Sequence, residues 1–307
     1  MAASNRSRLV VVTGGAGFVG SHLTDALVDC GFRVRVVDNF ATGSRDRINP
    51  AAELFEADIR DAEGLSPAFS DDVDCVFHTA ALPRIPLSIA KPVETHMANV
   101  LGTLNVLMAV REARIRRFVF SGSSSVYGNQ DRLPLVETMA AMPRSPYALQ
   151  KFVGEEYARM FHRLYGVQAI TLRYFAVYGP RMAEEGAYML AIAAFMRARR
   201  EGRPLEIHGD GEQTRDFTHV RDIVAANILA MDAMDAETAD GQPINVGYGN
   251  NVSINRIAQI FGGPIVHTPA RPGDMRDTLA DRSLAEKLLG WTPRVSIEEG
   301  LKELLKR

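Results

Sequence analysis

A tyrosine and a lysine four positions apart are the side chains whose types and spacing point most directly to catalysis. Tyr147 and Lys151 lie in a segment with helical spacing, and positions i and i+4 share one face of a helix. A phenol with its ordinary pKa of about 10 is a poor base at neutral pH, but a neighbouring ammonium favours the phenolate. The pair therefore predicts a general base, although the same spacing alone is also typical of an exposed helix pair.

A run of hydroxyl groups lies upstream of this pair. Ser123, Ser124 and Ser125 follow an apolar segment that indicates a strand, and groups that bind ligands commonly lie just beyond strand ends. The alternative is a polar loop rich in turn residues, and the serines alone do not decide between the two.

A glycine-rich segment near the amino terminus predicts a dinucleotide site. Gly15, Gly17 and Gly20 fit G-x-G-x-x-G, and Gly14 gives the related G-x-x-G-x-x-G. Such glycines permit a tight turn and a close approach of the backbone to a pyrophosphate at the start of a helix. Asp38 ends the next predicted strand, 18 positions after Gly20. A carboxylate there binds ribose hydroxyls and repels a 2′-phosphate, which favours NAD over NADP.

These residues must be positioned by alternating strands and helices. Short apolar runs with β-branched residues predict strands, and helical spacing in Ser21–Cys30, Val93–Ala113 and Tyr147–Tyr165 predicts helices between them. Alternation of this kind indicates an α/β fold with a doubly wound, Rossmann-type parallel sheet. The predicted strands are Arg8–Thr13, Arg33–Val37, Leu54–Ala57, Val73–Thr79, Arg117–Ser121 and Ala169–Arg173.

The regular alternation stops after Gly179-Pro180, where Gly and Pro breaks become frequent. We expect a dinucleotide-binding domain over residues 1–178 and a smaller substrate domain over residues 179–307, with a segment near 217–248 returning to the first. No low-complexity linker separates the two. A crevice between packed domains is therefore the expected ligand site.

Composition and charge favour small-molecule chemistry. The 307 residues are 46% apolar and carry a formal net charge of -2, which argues against a nucleic-acid partner. The two cysteines are too few for a disulfide framework, and the apolar run near the amino terminus is too short for a signal peptide. We expect a cytoplasmic protein with reduced thiols, no metal and no membrane partner.

Together these motifs resemble the extended short-chain dehydrogenases/reductases, and among them the UDP-hexose 4-epimerases. The resemblance extends over nearly the whole chain, and the order of so many short motifs makes a chance match improbable. The motifs that carry it, beyond the glycine turn and the serines, are Asp38-Asn39, Asp58-Ile59, His78–Ala81, Asn99–Thr103, Tyr147 with Lys151, Arg173–Phe175, Arg215-Asp216, His219–Asp222 and Arg271–Asp274.

The resemblance implies NAD as cofactor and a set of residues around it. Those near the pyrophosphate, riboses, adenine and nicotinamide would be Gly14, Gly17, Phe18, Val19, Asp38, Asn39, Phe40, Thr42, Gly43, Asp58, Ile59, Thr79, Ala80, Ala81, Asn99, Ser121, Tyr147, Lys151 and Tyr174. Those near a UDP-sugar would be Ser123, Ser124, Tyr147, Ala176, Tyr188, Arg215, Arg271, Asp274 and Thr278.

The implied activity is interconversion of a UDP-hexose with its C4 epimer, catalysed by Ser123, Tyr147 and Lys151. A nucleotide-sugar 4,6-dehydratase and a decarboxylase resemble the chain but need carboxyl groups where Ser123–Ser125 stand. A UDP-glucuronate 4-epimerase is a further alternative, disfavoured by Ala183 and by the acidic Glu184 and Glu185. A dinucleotide-sensing protein of the same fold is the non-enzymatic alternative.

Departures from the family pattern bear on the substrate. Ala176 replaces the usual Asn, and Pro83 with Arg84 stands where some members carry a lysine. A position that resembles a specificity gate holds the small Thr278, which implies that N-acetylhexosamines are accepted beside glucose and galactose. Apolar residues on several sides of helices 93–113 and 147–165, which pair between subunits in the family, imply a homodimer.

Overall fold

Thirteen short strands and eleven helices make up the described part of the chain. A computed structural model describes residues 8–183, 191–234, 241–270 and 276–306. The strands are β1 (Leu9–Thr13), β2 (Arg33–Asp38), β3 (Glu53–Glu56), β4 (Val73–His78), β5 (Arg117–Ser123), β6 (Gln168–Tyr174), β7 (Val177–Tyr178), β8 (Leu205–His208), β9 (Thr214–Arg215), β10 (Thr218–His219), β11 (Pro243–Val246), β12 (Val252–Ser253) and β13 (Ile265–Thr268). The helices are α1 (Phe18–Asp29), α2 (Ala62–Leu65), α3 (Ile85–Ala90), α4 (Pro92–His96), α5 (Gly102–Glu112), α6 (Pro146–Tyr165), α7 (Ala191–Arg200), α8 (Val220–Ala233), α9 (Ile254–Phe261), α10 (Ser283–Leu289) and α11 (Ile297–Leu305).

Seven of the strands form one parallel sheet in the order β11-β6-β5-β4-β1-β2-β3. The strand order reverses between β1 and β4, so the connections leave these strands in opposite directions. A crevice opens at the carboxyl ends of strands at such a point. The sheet thus confirms the α/β class and places the glycine turn, which follows β1, at the expected ligand site.

Side chains of β1 alternate between the two faces of the sheet, as the period of a strand requires. Val10 and Val12 pack in a cluster with α1, α8 and α10, whereas Leu9 and Val11 pack on the opposite face with α2, α5 and α6. All four are almost fully buried. Helices therefore cover both faces, which explains the continuous apolar run in the sequence.

All six predicted strands are present, and the predicted helix at 147–165 is confirmed as α6. The predicted helix over 93–113 is different: it consists of α4, a π-helical turn over Met97–Leu101, and α5. The wider turn brings Asn99 inward, where its side chain bonds the Leu82 backbone and Gln150. Hydrophobic spacing does not reveal such a turn because the helical period continues on both sides of it.

The second half of the chain contributes to two cores. β11 extends the large sheet beside β6, and α8 and α10 cover one of its faces. A separate cluster gathers Tyr178 with α7, α9, α11 and β8. The division at residue 178 remains our proposal, with β11, α8 and α10 as the parts that return to the first domain. No helix within the described ranges is long and apolar enough to cross a membrane.

Candidate active site

The glycine turn after β1 leaves room for a ligand at the start of α1. Gly14 has φ +74°, and a Cβ atom on it would lie 2.7 Å from the Ala80 backbone. A Cβ on Gly20 would lie 2.1 Å from the Gly14 carbonyl oxygen. No side chain caps α1, whose N-cap is Gly17, so the first amide groups of the helix remain for an anion. The backbone therefore forms a cradle that fits a pyrophosphate.

Asp38 is held rigidly at the edge of this cradle. One carboxylate oxygen accepts the Ala16 N–H at 2.9 Å, and the other accepts the Phe40 N–H at 2.7 Å. The side chain is buried but borders the cavity. A fixed carboxylate with free lone pairs suits two ribose hydroxyls and repels a phosphate. These residues fit NAD, in agreement with the preference predicted from the sequence.

A second acidic group lies beyond the end of β3. Asp58 accepts hydrogen bonds from Arg60, with the shortest at 2.6 Å, and from the Asn39 amide at 2.8 Å. The hydrogen bonds from Arg60 lower the pKa of Asp58 to about 2. Asp58 and Ile59 both border the cavity, at the end where the sequence predicts adenine. The position of adenine itself stays a prediction.

Lys151 is buried beneath the catalytic end of the cavity. Its Nζ donates to the Ser121 carbonyl oxygen at 2.9 Å and lies 4.9 Å from the centre of the Phe120 ring. Burial lowers the pKa of Lys151 to about 8. The Ser121 hydroxyl pairs with the Tyr174 hydroxyl at 3.0 Å, and Tyr174 donates to Asn227. The lysine is thus fixed by β5 rather than by solvent.

Tyr147 and Ser123 meet at the same end of the cavity. The Tyr147 N–H donates to the Ser88 hydroxyl at 3.0 Å, which anchors the first turn of α6 against α3. Burial raises the pKa of the Tyr147 phenol to about 12, while its hydrogen bond with Ser123 acts in the opposite direction. Lys151 instead bonds the Ser121 carbonyl. The sequence predicts that Lys151 lowers the pKa of Tyr147, but in the structure burial has the larger effect and raises it.

His78 joins three segments behind the glycine turn. Its Nδ1 lies 2.7 Å from the Thr13 hydroxyl, and its Nε2 lies 3.0 Å from the Thr103 hydroxyl. Thr103 donates its own proton to the Asn99 carbonyl oxygen, so it accepts from His78. Nε2 therefore carries the proton and Nδ1 accepts from Thr13. Burial lowers the pKa of His78 to about 3, which keeps the ring neutral.

These groups surround a cavity of about 660 Å³ that runs from the glycine turn to the second half of the chain. The predicted cofactor residues that line it are Gly14, Gly17, Phe18, Val19, Asp38, Asn39, Thr42, Asp58, Ile59, Thr79, Ala80, Ala81, Ser121, Tyr147, Lys151 and Tyr174. The predicted substrate residues that line it are Ser123, Ser124, Tyr147, Ala176, Arg215 and Thr278.

Three predicted cofactor residues lie outside the lining. Asn99 is buried and braces the loop at Leu82, which does line the cavity. Phe40 turns its ring under the Arg45 guanidinium, 4.3 Å away. Gly43 lies so close to Ala16 that a Cβ atom would meet it at 2.7 Å. Tyr188, Arg271 and Asp274 lie outside the described residues.

The far wall of the cavity comes from β9 and the segment after residue 276. Arg215 donates to the carbonyl oxygens of Thr214 and Arg276 at 2.8 and 3.2 Å. The Thr278 hydroxyl accepts the Asp216 N–H at 3.2 Å. Within the described ranges, no group of three His, Cys, Asp or Glu side chains is arranged to hold a metal.

A model of the NAD dependent epimerase/dehydratase family matches residues 10–247. The chain belongs to this family. It is an enzyme, an epimerase that uses NAD. The UDP-glucose 4-epimerase of Mycolicibacterium smegmatis is 35% identical over 306 residues, 95% of each chain.

Solved structures agree with this assignment over almost the whole chain. The UDP-glucose 4-epimerase of Thermotoga maritima with UDP-glucose is 36% identical and superposes with a TM-score of 0.91, covering 97% of both chains. The UDP-N-acetylglucosamine 4-epimerase of Methanobrevibacter ruminantium, in complex with UDP-N-acetylmuramic acid, is 36% identical with a TM-score of 0.89, covering 98% of both. The family resemblance inferred from the motifs is thus confirmed.

Several residues that line the cavity of this epimerase were not singled out from the sequence. Most belong to the loop after β4 and the first turn of α3, and the rest to the second half of the chain. The sequence could have indicated the loop residues only through their position, because the loop after β4 leaves a central strand at its carboxyl end, where ligands commonly bind. The residues are Leu82, Ile85, Leu87, Met182 and Ala193.

Proposed function

We propose that the epimerase interconverts a UDP-hexose and its C4 epimer through a transient 4-keto sugar. The observation that carries the proposal is the meeting of Tyr147 and Ser123 hydroxyls in a cavity whose other end fits NAD. Epimerisation needs a base at the O4 hydroxyl and a hydride acceptor beside C4. The residues proposed for the base and for holding the hydride acceptor line one cavity.

The residues divide the chemistry among them. Tyr147 takes the proton from the C4 hydroxyl as general base and later returns it. Ser123 hydrogen-bonds the reacting oxygen, and Lys151 holds the nicotinamide ribose. Bound NAD⁺ supplies a hydride acceptor and a positive charge that favours the Tyr147 phenolate. Because the sugar would be oxidised and then reduced at the same carbon, on opposite faces, the bound cofactor would be restored and no external reductant would be consumed.

We further propose that the sugars include the N-acetylhexosamine pair as well as glucose and galactose. Thr278 lines the cavity, and its hydroxyl is tied to the Asp216 backbone. A side chain of this size leaves space that a tyrosine would fill. Ala176 also lines the cavity with a methyl group where the family usually has an amide.

The residues of the cavity support the alternative functions less well than they support epimerisation. A 4,6-dehydratase or a decarboxylase needs a carboxyl group at the position of the Ser123–Ser125 run. The acids that line the described cavity are Asp38, Asp58 and Glu94, and the first two lie at the adenosine end. A dinucleotide sensor would not require the Tyr147 and Lys151 pair.

Conversion of UDP-galactose to UDP-glucose by the purified holoenzyme tests the proposal. We expect Tyr147→Phe to lower kcat by about 10²- to 10⁴-fold, the usual effect of removing a general base. Calorimetry should show that the variant still binds UDP-galactose, because the ring remains. A Tyr147→Phe enzyme with near-normal turnover would contradict the assigned base, and a dehydrated product would contradict the reaction.

We propose a homodimer that pairs α4–α5 and α6 of two subunits. Large apolar side chains on these helices are open to solvent in the single chain. Val93 is 73% exposed, Leu164 is 64% exposed and Met160 is 49% exposed. Other apolar residues of these helices, such as Leu107 and Phe161, are instead buried in the subunit core. The exposed set is the part that supports the proposal.

A cytoplasmic location is also proposed. Cys75 is a free thiol in the structure, and burial raises the pKa of this thiol well above its usual value. Unpaired cysteines are typical of reducing compartments.

A further inference from the structure

Arg84 differs from the other cations that line the described cavity. Arg60 is paired with Asp58, Lys151 donates to Ser121, and Arg215 donates to two backbone carbonyl oxygens. The Arg84 guanidinium makes no hydrogen bond or ion pair with any described residue, yet it borders the cavity and is only partly exposed. Its charge is therefore available to a ligand.

The acids of the described cavity do not balance this charge. Asp38 binds two backbone amides, and Asp58 is held by Arg60. Glu94 is paired with Lys91 at 2.9 Å. Each carboxylate that borders the cavity thus has its own partner. A guanidinium beside them has to find its acceptor in solvent or in the bound substrate.

The fold places Arg84 close to the first turn of α6, which carries Tyr147, and both residues line the cavity. Arg84 precedes α3, and its carbonyl oxygen accepts the Ser88 N–H at 3.0 Å. The Ser88 hydroxyl accepts the Tyr147 N–H at 3.0 Å. One helical turn therefore separates Arg84 from the residue that anchors the proposed base. Arg215, which also lines the cavity, is the described cation that the family resemblance assigns to the nucleotide half of the substrate.

We infer that Arg84 is a specificity-determining residue that binds an acidic substituent on the hexose, which makes UDP-hexuronates preferred substrates. Filling the cavity with sugar removes water from the guanidinium, and a neutral sugar offers only hydroxyl acceptors. A carboxylate accepts two parallel hydrogen bonds from an arginine. The inference rests on the proposed function, and it reverses the expectation drawn from Ala183, Glu184 and Glu185. Ala183 lines the cavity without a charge, so Arg84 would be the group that binds the carboxylate, and the two glutamates lie outside the described residues.

Binding to NAD-loaded protein tests the inference without depending on turnover. Calorimetry with UDP-glucuronate, UDP-glucose and UDP alone compares the wild type with Arg84→Ala and Arg84→Lys. We expect Arg84→Ala to weaken UDP-glucuronate binding by about 10- to 100-fold more than UDP-glucose binding, the usual scale for a charged hydrogen bond. Arg84→Lys should recover part of the difference, since it keeps the charge but loses the bidentate geometry.

Arg116→Ala is the matched control, because Arg116 is exposed, lies outside the cavity and changes the net charge equally. It should leave all three affinities unchanged. Equal losses for both sugars and for UDP would place Arg84 on the diphosphate, and unchanged affinities for all three would remove it from the site; either result overturns the inference. If selective binding is found but no C4 epimer forms, the proposed function fails while the role of Arg84 stands.

Discussion

The phenol of Tyr147 shows how burial and catalysis oppose each other at one residue. With a pKa of about 12, the group is protonated at neutral pH in the ligand-free chain. Its raised pKa means that the basic form is scarce until a cation reduces the cost of ionisation. Lys151 approaches the Ser121 carbonyl instead. We therefore expect the positive ring of bound NAD⁺ to supply the charge that would favour the phenolate of the proposed base.

A substitution of the single residue Thr278 tests which sugars the enzyme accepts. Replacing it with tyrosine adds a ring to the cavity wall and removes the acceptor of the Asp216 N–H. We expect Thr278→Tyr to lower kcat/KM for UDP-N-acetylglucosamine at least about 10-fold more than for UDP-glucose, because a bulky group blocks an added substituent. Thr278→Ser, which keeps the hydroxyl, serves as control. An unchanged ratio in the tyrosine variant would show that Thr278 is not the gate.

Among the helices, strands and turns, those determined by neighbouring residues are predicted from the sequence, and those determined by distant contacts are not. The six strands and the glycine turn were predicted because apolar runs and a turn motif are encoded in neighbouring residues. The π turn at Met97–Leu101 and the bracing role of Asn99 were not, since they depend on bonds to Leu82 and Gln150. The cavity position of Arg84 likewise depends on how α3 packs against α6.

His78, at the end of β4, joins β1 and α5 through Thr13 and Thr103, and its protonation should affect stability. Its pKa of about 3 lies below the unfolded value of about 6.5, so the unfolded chain binds the proton more readily between these values. The free energy of unfolding should therefore fall by about 1 kcal/mol from pH 7 to pH 5.5 through this group alone. Urea unfolding of the wild type and of His78→Gln at both pH values measures this change in the free energy of unfolding. An equally steep loss in the variant would exclude His78 as the cause.

On the scale of the whole molecule, the exposed apolar residues of α4 and α6 bear on assembly. A charge placed in the proposed interface would be desolvated without a partner. We expect the double substitution Val93→Glu and Met160→Glu to convert the dimer to a monomer in sedimentation velocity. Ile265→Glu, at a residue 44% exposed on β13, should leave the mass unchanged. A wild-type monomer, or a dimer that survives the double substitution, would contradict the proposed interface.

In the proposed epimerisation, the hydrogen removed from C4 of the sugar returns to C4. UDP-galactose labelled with deuterium at C4 measures this directly when the UDP-glucose formed in ordinary water is examined by mass spectrometry and proton NMR. We expect the product to keep its deuterium at C4, because a hydrogen bonded to carbon on a reduced nicotinamide ring would not exchange with solvent. Product carrying a solvent-derived hydrogen at C4 would contradict it, since that outcome requires removal of the C4 hydrogen as a proton.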